Sequence, residues 1–383
     1  MVTNYKFETR EELDTAVDLW ISNEADATAT YGEINSWDVS AITDFSTLFS
    51  LRLNFNSDIG DWDVSSGNNF RHMFYSAAAF NQDIGDWDVS SGTSFRYMFN
   101  GAWNFNQDIG DWDVSSGTSF QWMFANANQF NQNIGAWDVS SGLDFNSMFR
   151  NASNFNQDIG DWDVSSSFKF RDMFLAAESF NQDIGDWDVS SSLTFSGMFS
   201  LQSAFNQDIG DWDVSSATHF QNMFWENNVF NQDIRSWDVK NALWLNGMFR
   251  DADAFDQDLS YWNVAPENIT STSEMFRSSD LMNGNGWGWN PSSSDFLGQI
   301  ISGTSIAETI NGASGNDVLS GLAGDDEINA GNGWDEIIGG AGDDTLDGGE
   351  KDDTAIYTGK KDDYLITEDN SILIVQDLRD NTP

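Results

Sequence analysis

The chain has 383 residues, with 62 Asp and Glu against 16 Lys and Arg, a formal net charge of -46. So acidic a chain repels phosphate backbones and anionic lipid, which excludes nucleic-acid binding and a polybasic membrane anchor as first expectations. Cysteine is absent and His72 and His219 are the only histidines, so disulfides, zinc–thiolate sites and cysteine nucleophiles are ruled out and histidine catalysis is not expected, while 30 Phe, 18 Trp and 11 Met supply the core mass that a disordered acidic chain lacks.

At the N-terminus, residues 1–10 carry no apolar signal-peptide core, so any export signal is expected elsewhere. Thr9 and Glu12 have capping-box spacing, and Leu13, Val17, Trp20 and Ile21 then share one helical face. Residues 8–22 are predicted to form a helix within an N-terminal cap, 1–30, that covers the open end of a repeat array. No run of 18 apolar residues occurs, so no membrane insertion is expected.

From there a repeat dominates. Ten tryptophans from Trp37 to Trp262, among them Trp62, Trp87, Trp112 and Trp137, recur at every twenty-fifth position. A fixed period of this length implies a solenoid, each coil burying its apolar face on its neighbours. In residues 84–90, Trp87 and Val89 alternate with Asp86, Asp88 and Ser90, the period of a strand with one buried face. Phe95, Met98, Phe99 and Ala102 fall at i, i+3, i+4 and i+7, the spacing of one helical face. Gly92 and its counterparts supply a turn, and Asn81, Asn106 and Asn131 are expected to stack at the return turn. The sequence therefore predicts one short strand and one short helix per coil over residues 31–281.

The spacing Ile84-x-x-Trp87-x-Val89, then Phe95 and Met98, resembles the leucine-rich repeat with aromatics in leucine positions. More specifically, the block Phe80-Asn-Gln-Asp-Ile-Gly-Asp-Trp-Asp-Val-Ser-Ser91 with a following Met-Phe looks like the BspA-like leucine-rich-repeat surface proteins. That resemblance implies a secreted or surface protein linked to adhesion and no catalytic residue. The period slips at Asp256, Leu259 and Asn263, with 265–268 inserted, so that Met275-Phe276 arrives two residues late. Residues 282–300 read as a linker or degenerate coil.

Beyond residue 300 the period becomes nine: 312–320, 321–329, 330–338 and 339–347 run in tandem. They resemble the RTX calcium-binding nonapeptides, whose glycines let loop carbonyls turn inward and whose aspartate adds a hard oxygen for Ca2+. The resemblance implies a calcium-binding parallel β-roll over 301–383, with Leu319, Ile328, Ile337 and Leu346 as its core. It also implies calcium between loops two nonapeptides apart, pairing Asp317 with Asp335, Asp335 with Asp353 and Asp326 with Asp344; Asn316, Asp325 and Asp343 join the metal-ligand candidates. The first repeat offers Glu308 instead, and the last has Lys351 where glycine belongs. Residues 364–378 alternate like a hairpin turned at 368–371, similar to the segment that closes such rolls. Type I secretion, implied by the family, fits the missing N-terminal signal.

Three sets of residues remain. The tryptophan column and the methionines are expected in the core. Asp63, Asp88, Asp113, Asp138, Asp163, Asp188 and Asp213 form a ladder in which like charges would repel, so they are bonded to turn amides and Ser hydroxyls, screened by bound cations, or left as simple solvated charge that protects edges and solubility. Tyr75, Tyr97, Trp103, Trp122 and Trp225 lie in the variable half of the coil; they either pack between coils or bind an extracellular glycan or surface protein. The acids outside the repeat pattern (Asp144, Asp172, Glu178, Glu226) show no spacing of a catalytic pair, and no enzyme activity is expected. The whole reads as a repeat solenoid, an LRR-like β/α stack with a cap helix, followed by a calcium-loaded roll, acting in adhesion; a purely structural surface-layer, spacer or mineral-ordering scaffold is the competing expectation.

Overall fold

Thr9 caps helix α1 (Arg10–Ser22) as the sequence predicts: its hydroxyl accepts from the Glu12 amide and the Glu12 carboxylate takes the Thr9 N–H. The computed structural model describes residues 5–257, 259, 262, 274–276, 300–312, 317–333, 335–349 and 353–357, and the backbone of 364–369 and 372–377. Leu13, Ala16, Val17 and Trp20 form the buried face of α1; Ile21, expected there, is exposed and Ala16 takes its place. A second helix, α2 (Glu24–Tyr31), comes next; the sequence reading did not separate it. The Arg10 guanidinium reaches the first coil, Nη1 donating to Asp44 O at 2.8 Å and Nη2 to Ser46 O at 2.7 Å.

The coils stack in register, each residue beside its counterpart one period on. Their columns of Phe, Trp, Met, Ile and Val are buried from Trp37 to Trp262. Trp87, Trp112 and Trp137 lie parallel at 6.5 Å between ring centres, and each indole N–H bonds a carbonyl of the preceding coil, as Trp112 Nε1 does to Ile84 O at 3.0 Å. The expected stacking of asparagines is present: Asn81 Oδ1 accepts from the Asn106 amide and the Gln107 side chain, both at 2.9 Å.

The backbone, however, is neither the expected strand nor the expected helix. In residues 84–90 the N–H groups bend back locally: Trp87 N donates to Ile84 O at 3.2 Å, and Ser90 N to Asp88 Oδ1 at 3.0 Å. Those donors are therefore unavailable to an inter-coil ladder. The ladder forms in the segment read as helical. There Phe95, Tyr97, Phe99 and Gly101 donate to Ser119, Gln121, Met123 and Ala125 of the next coil at 2.8–3.1 Å, while Met98, Asn100 and Ala102 donate three residues back. Positive φ at Tyr97 (59°) and Gly101 (73°) breaks any helix. Isolated parallel bridges such as Ser94↔Ser119 mark this edge. Such a chain of turns still sends Phe95, Met98, Phe99 and Ala102 inward, where all four are buried.

Despite the insertion, Phe276 keeps its place in the column, stacked on Phe249 at 5.5 Å, and Phe249 N donates to Met275 O at 2.8 Å. Asn263, residues 265–268, all of 282–300 but its last residue, Asn316, Lys351 and the tip of the terminal hairpin lie outside the described residues.

The C-terminal unit is a set of three-residue parallel strands. β1 (Ile300–Ser302), β3 (Val318–Ser320), β5 (Glu336–Ile338) and β7 (Thr354–Ile356) make one sheet; β2 (Thr309–Asn311), β4 (Glu327–Asn329) and β6 (Thr345–Asp347) make the other. Each strand pairs with the next but one, Leu319 opposite Ile337 and Ile328 opposite Leu346, which is the geometry of a parallel β-roll. Leu319, Ile328 and Ile337 are buried between the sheets, with Leu346 packed against them. β8 (Tyr364–Asp369) and β9 (Ile372–Asp377) pair antiparallel, the expected hairpin.

Candidate functional site

The roll sets its aspartates one turn apart and bonds them to each other's backbone. Asp317 N donates to Asp335 Oδ1 at 2.6 Å, Asp326 N to Asp344 Oδ1 at 3.0 Å and Asp335 N to Asp353 Oδ1 at 2.9 Å. These are the three pairs expected from the resemblance. The first repeat keeps the arrangement, Glu308 N donating to Asp326 Oδ1 at 3.0 Å. Asp317, Asp326 and Asp335 are buried, Asp344 and Asp353 half-buried. Asp325 and Asp343 are exposed, joined by a bond from Asp343 N to Asp325 Oδ1 at 3.0 Å, and stand outside these pairs.

A hard cation fits the donors present. Asp326 Oδ2 and Asp335 Oδ2 are buried with no hydrogen-bond partner, a cost that a buried charge avoids only by pairing. At Gly321 a Cβ would lie 2.3 Å from Asp326 Oδ2 and 2.4 Å from Gly339 O; at Gly312 it would lie 2.5 Å from Asp317 Oδ2 and 2.1 Å from Ala330 O. Carboxylate and carbonyl oxygens thus converge on a small space that only glycine leaves open. Among the described residues no three acidic or histidine side chains converge, so each cradle draws on one or two carboxylates plus backbone carbonyls, a donor set suited to calcium. Burial, with the charges of Asp353 and Asp317 adding to it, pushes the Asp335 carboxyl up to about 6, against a bond from the Asp317 amide. Burial also raises Asp344.

On the coils, the aspartate ladder is exposed and held by its own turns. Asp88 Oδ1 accepts from Ser90 N at 3.0 Å and Ser90 Oγ at 2.6 Å, and Asp63, Asp113, Asp138, Asp163 and Asp188 repeat the pair with Ser65, Ser115, Ser140, Ser165 and Ser190. Asp213 accepts from Ser215 N at 3.0 Å. The hydroxyl bond foremost, then the amide, holds Asp88, Asp138, Asp163 and Asp213 below the ordinary carboxylate range. The bonds to turn amides and Ser hydroxyls expected for the ladder are thus present.

The aromatics divide. Tyr97 and Trp122 stand one period apart, and His72 stands one period before Tyr97. They form a row, His72 on Tyr97 at 4.6 Å and Tyr97 on Trp122 at 5.6 Å, closed by the Arg150 guanidinium 5.5 Å from the Trp122 ring centre. Tyr75 meets His72 and Tyr97 edge-on. Ring faces used in this way offer a ligand edges only. Arg250 lies 5.0 Å from the Trp225 ring centre. Trp103 alone of the five is exposed, at 58%. Sequence reasoning missed His72 and the covering arginines; the even spacing of His72, Tyr97 and Trp122 was the available signal. Asp144 and Asp172, weighed as off-period acids, pair with Lys169 at 3.5 Å and Arg150 at 3.1 Å.

Two family models match the chain. One, described as a Mycoplasma protein of unknown function, DUF285, matches residues 20–132, 111–200 and 183–289. The other, the RTX calcium-binding nonapeptide repeat (4 copies), matches residues 302–335 and 335–355. No curated protein and no solved structure matches the chain. No helix among the described residues is long and apolar enough to cross a membrane.

Proposed function

Because the chain belongs to the DUF285 repeat family and carries RTX calcium-binding nonapeptides, we propose that it is an extracellular, calcium-dependent binding protein. In this reading the stack of coils is a solenoid akin to the BspA-like surface proteins and presents a binding face for adhesion. The roll is a calcium-triggered folding device, and the protein leaves its cell by type I secretion. Its role is binding rather than catalysis. The observation that carries the calcium part is the pair of buried, unpartnered carboxylate oxygens on Asp326 and Asp335, beside glycines that leave room for a cation. Metal binding to such loops is coupled to their folding, since the free carboxylates repel one another.

The roll's own residues do the rest. Asp317, Asp326, Asp335, Asp344 and Asp353 would hold the ions, and bound calcium would neutralise their charge. The strands between the loops bury Leu319, Ile328 and Ile337, and in this reading calcium holds the loops closed around them. Circular dichroism and limited proteolysis of the full chain test this. In chelator the C-terminal unit should be cleaved early, and millimolar calcium should protect it. The Asp326→Ala, Asp344→Ala double variant should lose one site and unfold at lower temperature in calcium only. Identical protection with and without calcium would sink the calcium reading. A glycan and surface-protein array probed in calcium tests the adhesive part; no ligand, together with concentration-dependent sheets, would favour a scaffold.

A further inference from the structure

A groove of 690 Å³ lies on the variable face of the stack, within the usual range of small-ligand sites. Its origin is a run of small residues in one coil. Thr194, Ser196, Gly197 and Ser200 form the floor; the preceding coil raises Phe168, Lys169, Arg171 and Leu175 as one wall, and the following coil raises His219, Gln221 and Trp225 as the other. The two walls belong to coils two apart, so they stand about 10 Å from each other, twice the ordinary spacing of adjacent chains. The stack loosens at the same place. Ser167 and Ser192 replace the glycine of earlier coils, where a Cβ at Gly92 would lie 2.7 Å from Phe95 and 3.1 Å from the Phe70 ring. Accordingly the Phe170–Phe195 ring separation is 6.1 Å, against 5.8 Å for Phe70–Phe95.

The charge of this groove runs against that of the molecule. Of only 16 bases in the chain, Lys169 and Arg171 line the groove with one acid, Asp172, while Arg150 and Asp144 pair with Asp172 and Lys169 from beside it. Arg150 takes Asp172 at 3.1 Å, while Arg171 lies 3.7 Å from it and keeps a side chain 67% exposed. Lys169 lines the groove, its Nζ 4.9 Å from the Phe168 ring centre and 3.5 Å from Asp144 Oδ2, with a side chain 40% exposed. The result is a local excess of one positive charge in a chain of -46. Around it stand amides and hydroxyls (Asn146, Gln221, Asn222, Thr218) and flat rings (Phe168, His219, Trp225). Rings with neighbouring hydroxyl and amide groups suit a molecule with apolar faces and many hydroxyls, and a guanidinium suits a carboxylate.

We propose that this groove binds a short segment of an acidic polysaccharide, one sugar ring lying over the floor of residues 194–200 with its carboxylate on Lys169 and Arg171. The inference rests on the binding role proposed above and gives it a ligand class and a place.

The test uses the full chain in millimolar calcium, with trigalacturonate as the acidic probe and cellotriose as the neutral one, read by titration calorimetry. Two variants isolate the groove. Arg171→Gln removes an exposed base. Thr194→Trp fills the floor at a position where the repeat already accepts tryptophan, since Trp244 stands two coils on and stacks on His219 at 6.5 Å. Trigalacturonate should bind, cellotriose about tenfold more weakly or not at all, and each variant should lose about tenfold or more, as expected for a charge-assisted bond or a blocked site. Circular dichroism unchanged in both variants keeps the loss from being one of folding. Absence of trigalacturonate binding, equal binding of cellotriose, or binding untouched by both variants would each overturn the assignment. A different array ligand that both variants retain would overturn the groove but leave the adhesive role standing; no array ligand at all would remove both.

Discussion

Trp112 is 3% exposed, lies parallel to Trp87 and Trp137, and spends its indole N–H on Ile84 O. Trp112→Ala should therefore cost about 3–5 kcal/mol, the range for losing a large buried ring, read as a lowered midpoint in urea; an unchanged midpoint would mean the column is not core. Asp335 gives a pH prediction of unusual sign. Its carboxyl titrates at about 6 in the folded roll, against 3.8 for an ordinary aspartate, so between those values the folded form holds a proton that the unfolded form releases. Without calcium, the roll should gain stability as pH falls from 7 through 6 toward 4, and lose it as pH rises. Calcium competes with that proton, so with calcium the trend reverses and apparent affinity falls below about pH 6. Melting temperatures at pH 5 and 7.5, in chelator and in calcium, read both trends; parallel shifts in the two conditions would contradict them. At this scale much was legible. The buried columns follow from period and residue type, and the aspartate pairs from the nonapeptide resemblance. For Tyr97 and Trp122 the sequence left packing between coils and ligand binding both open, because a residue type does not say whether its ring face is already covered.

The coil itself is the element, and its bonds were the least legible part. Hydrophobic spacing reports which side chains go inward. It does not report which carbonyl an N–H chooses, and a row of turns with alternate donors aimed at the next coil buries the same four positions as a helix would. The positive φ at Tyr97, Trp122 and Ser147 carried no glycine to announce it. The asparagine ladder was legible because a polar residue fixed in every coil, with no apolar period of its own, needs a repeated partner. Asn106 Oδ1 accepts from Asn131 N at 2.9 Å and from the Gln132 side chain at 3.0 Å. Asn106→Ala should leave the Asn131 amide without its acceptor, while the Gln132 side chain keeps Asn106 O at 2.9 Å, and cost about 1–3 kcal/mol. Hydrogen exchange should show the added opening at Asn131 and its neighbours rather than across the stack; uniform acceleration would argue that the ladder is not local.

For the molecule as a whole, nearest-neighbour contacts make the coils interchangeable. Excising residues 106–130, one full period that joins Phe105 to Asn131, should give a folded chain with the same circular dichroism shape and a urea slope reduced roughly in proportion to the surface removed; an unfolded product would mean that coils depend on particular neighbours. The inter-coil bonds have another property. Along the run from Phe95 to Gly101, each N–H that leaves its coil points toward the C-terminal neighbour, whose carbonyls face back, as Phe95 N on Ser119 O shows. The stack therefore has a head and a tail, like a one-way screw thread. Two copies brought head to head would set oxygen against oxygen along this run, while Thr93 and Asn104, whose N–H groups donate to Asn68 O and Ala78 O of the preceding coil, point the other way; only a head-to-tail contact continues both sets, and such a contact grows as an unclosed fibre. At the head stand the carbonyls of Asp44 and Ser46, and the Arg10 guanidinium sits on them. Beyond covering apolar rings, the N-terminal helix would thus keep these carbonyls from a second copy. Removing residues 1–31 should uncover this edge; a sedimentation coefficient that then climbs with concentration would show assembly through it, and one that stays constant would mean that the edge templates no growth.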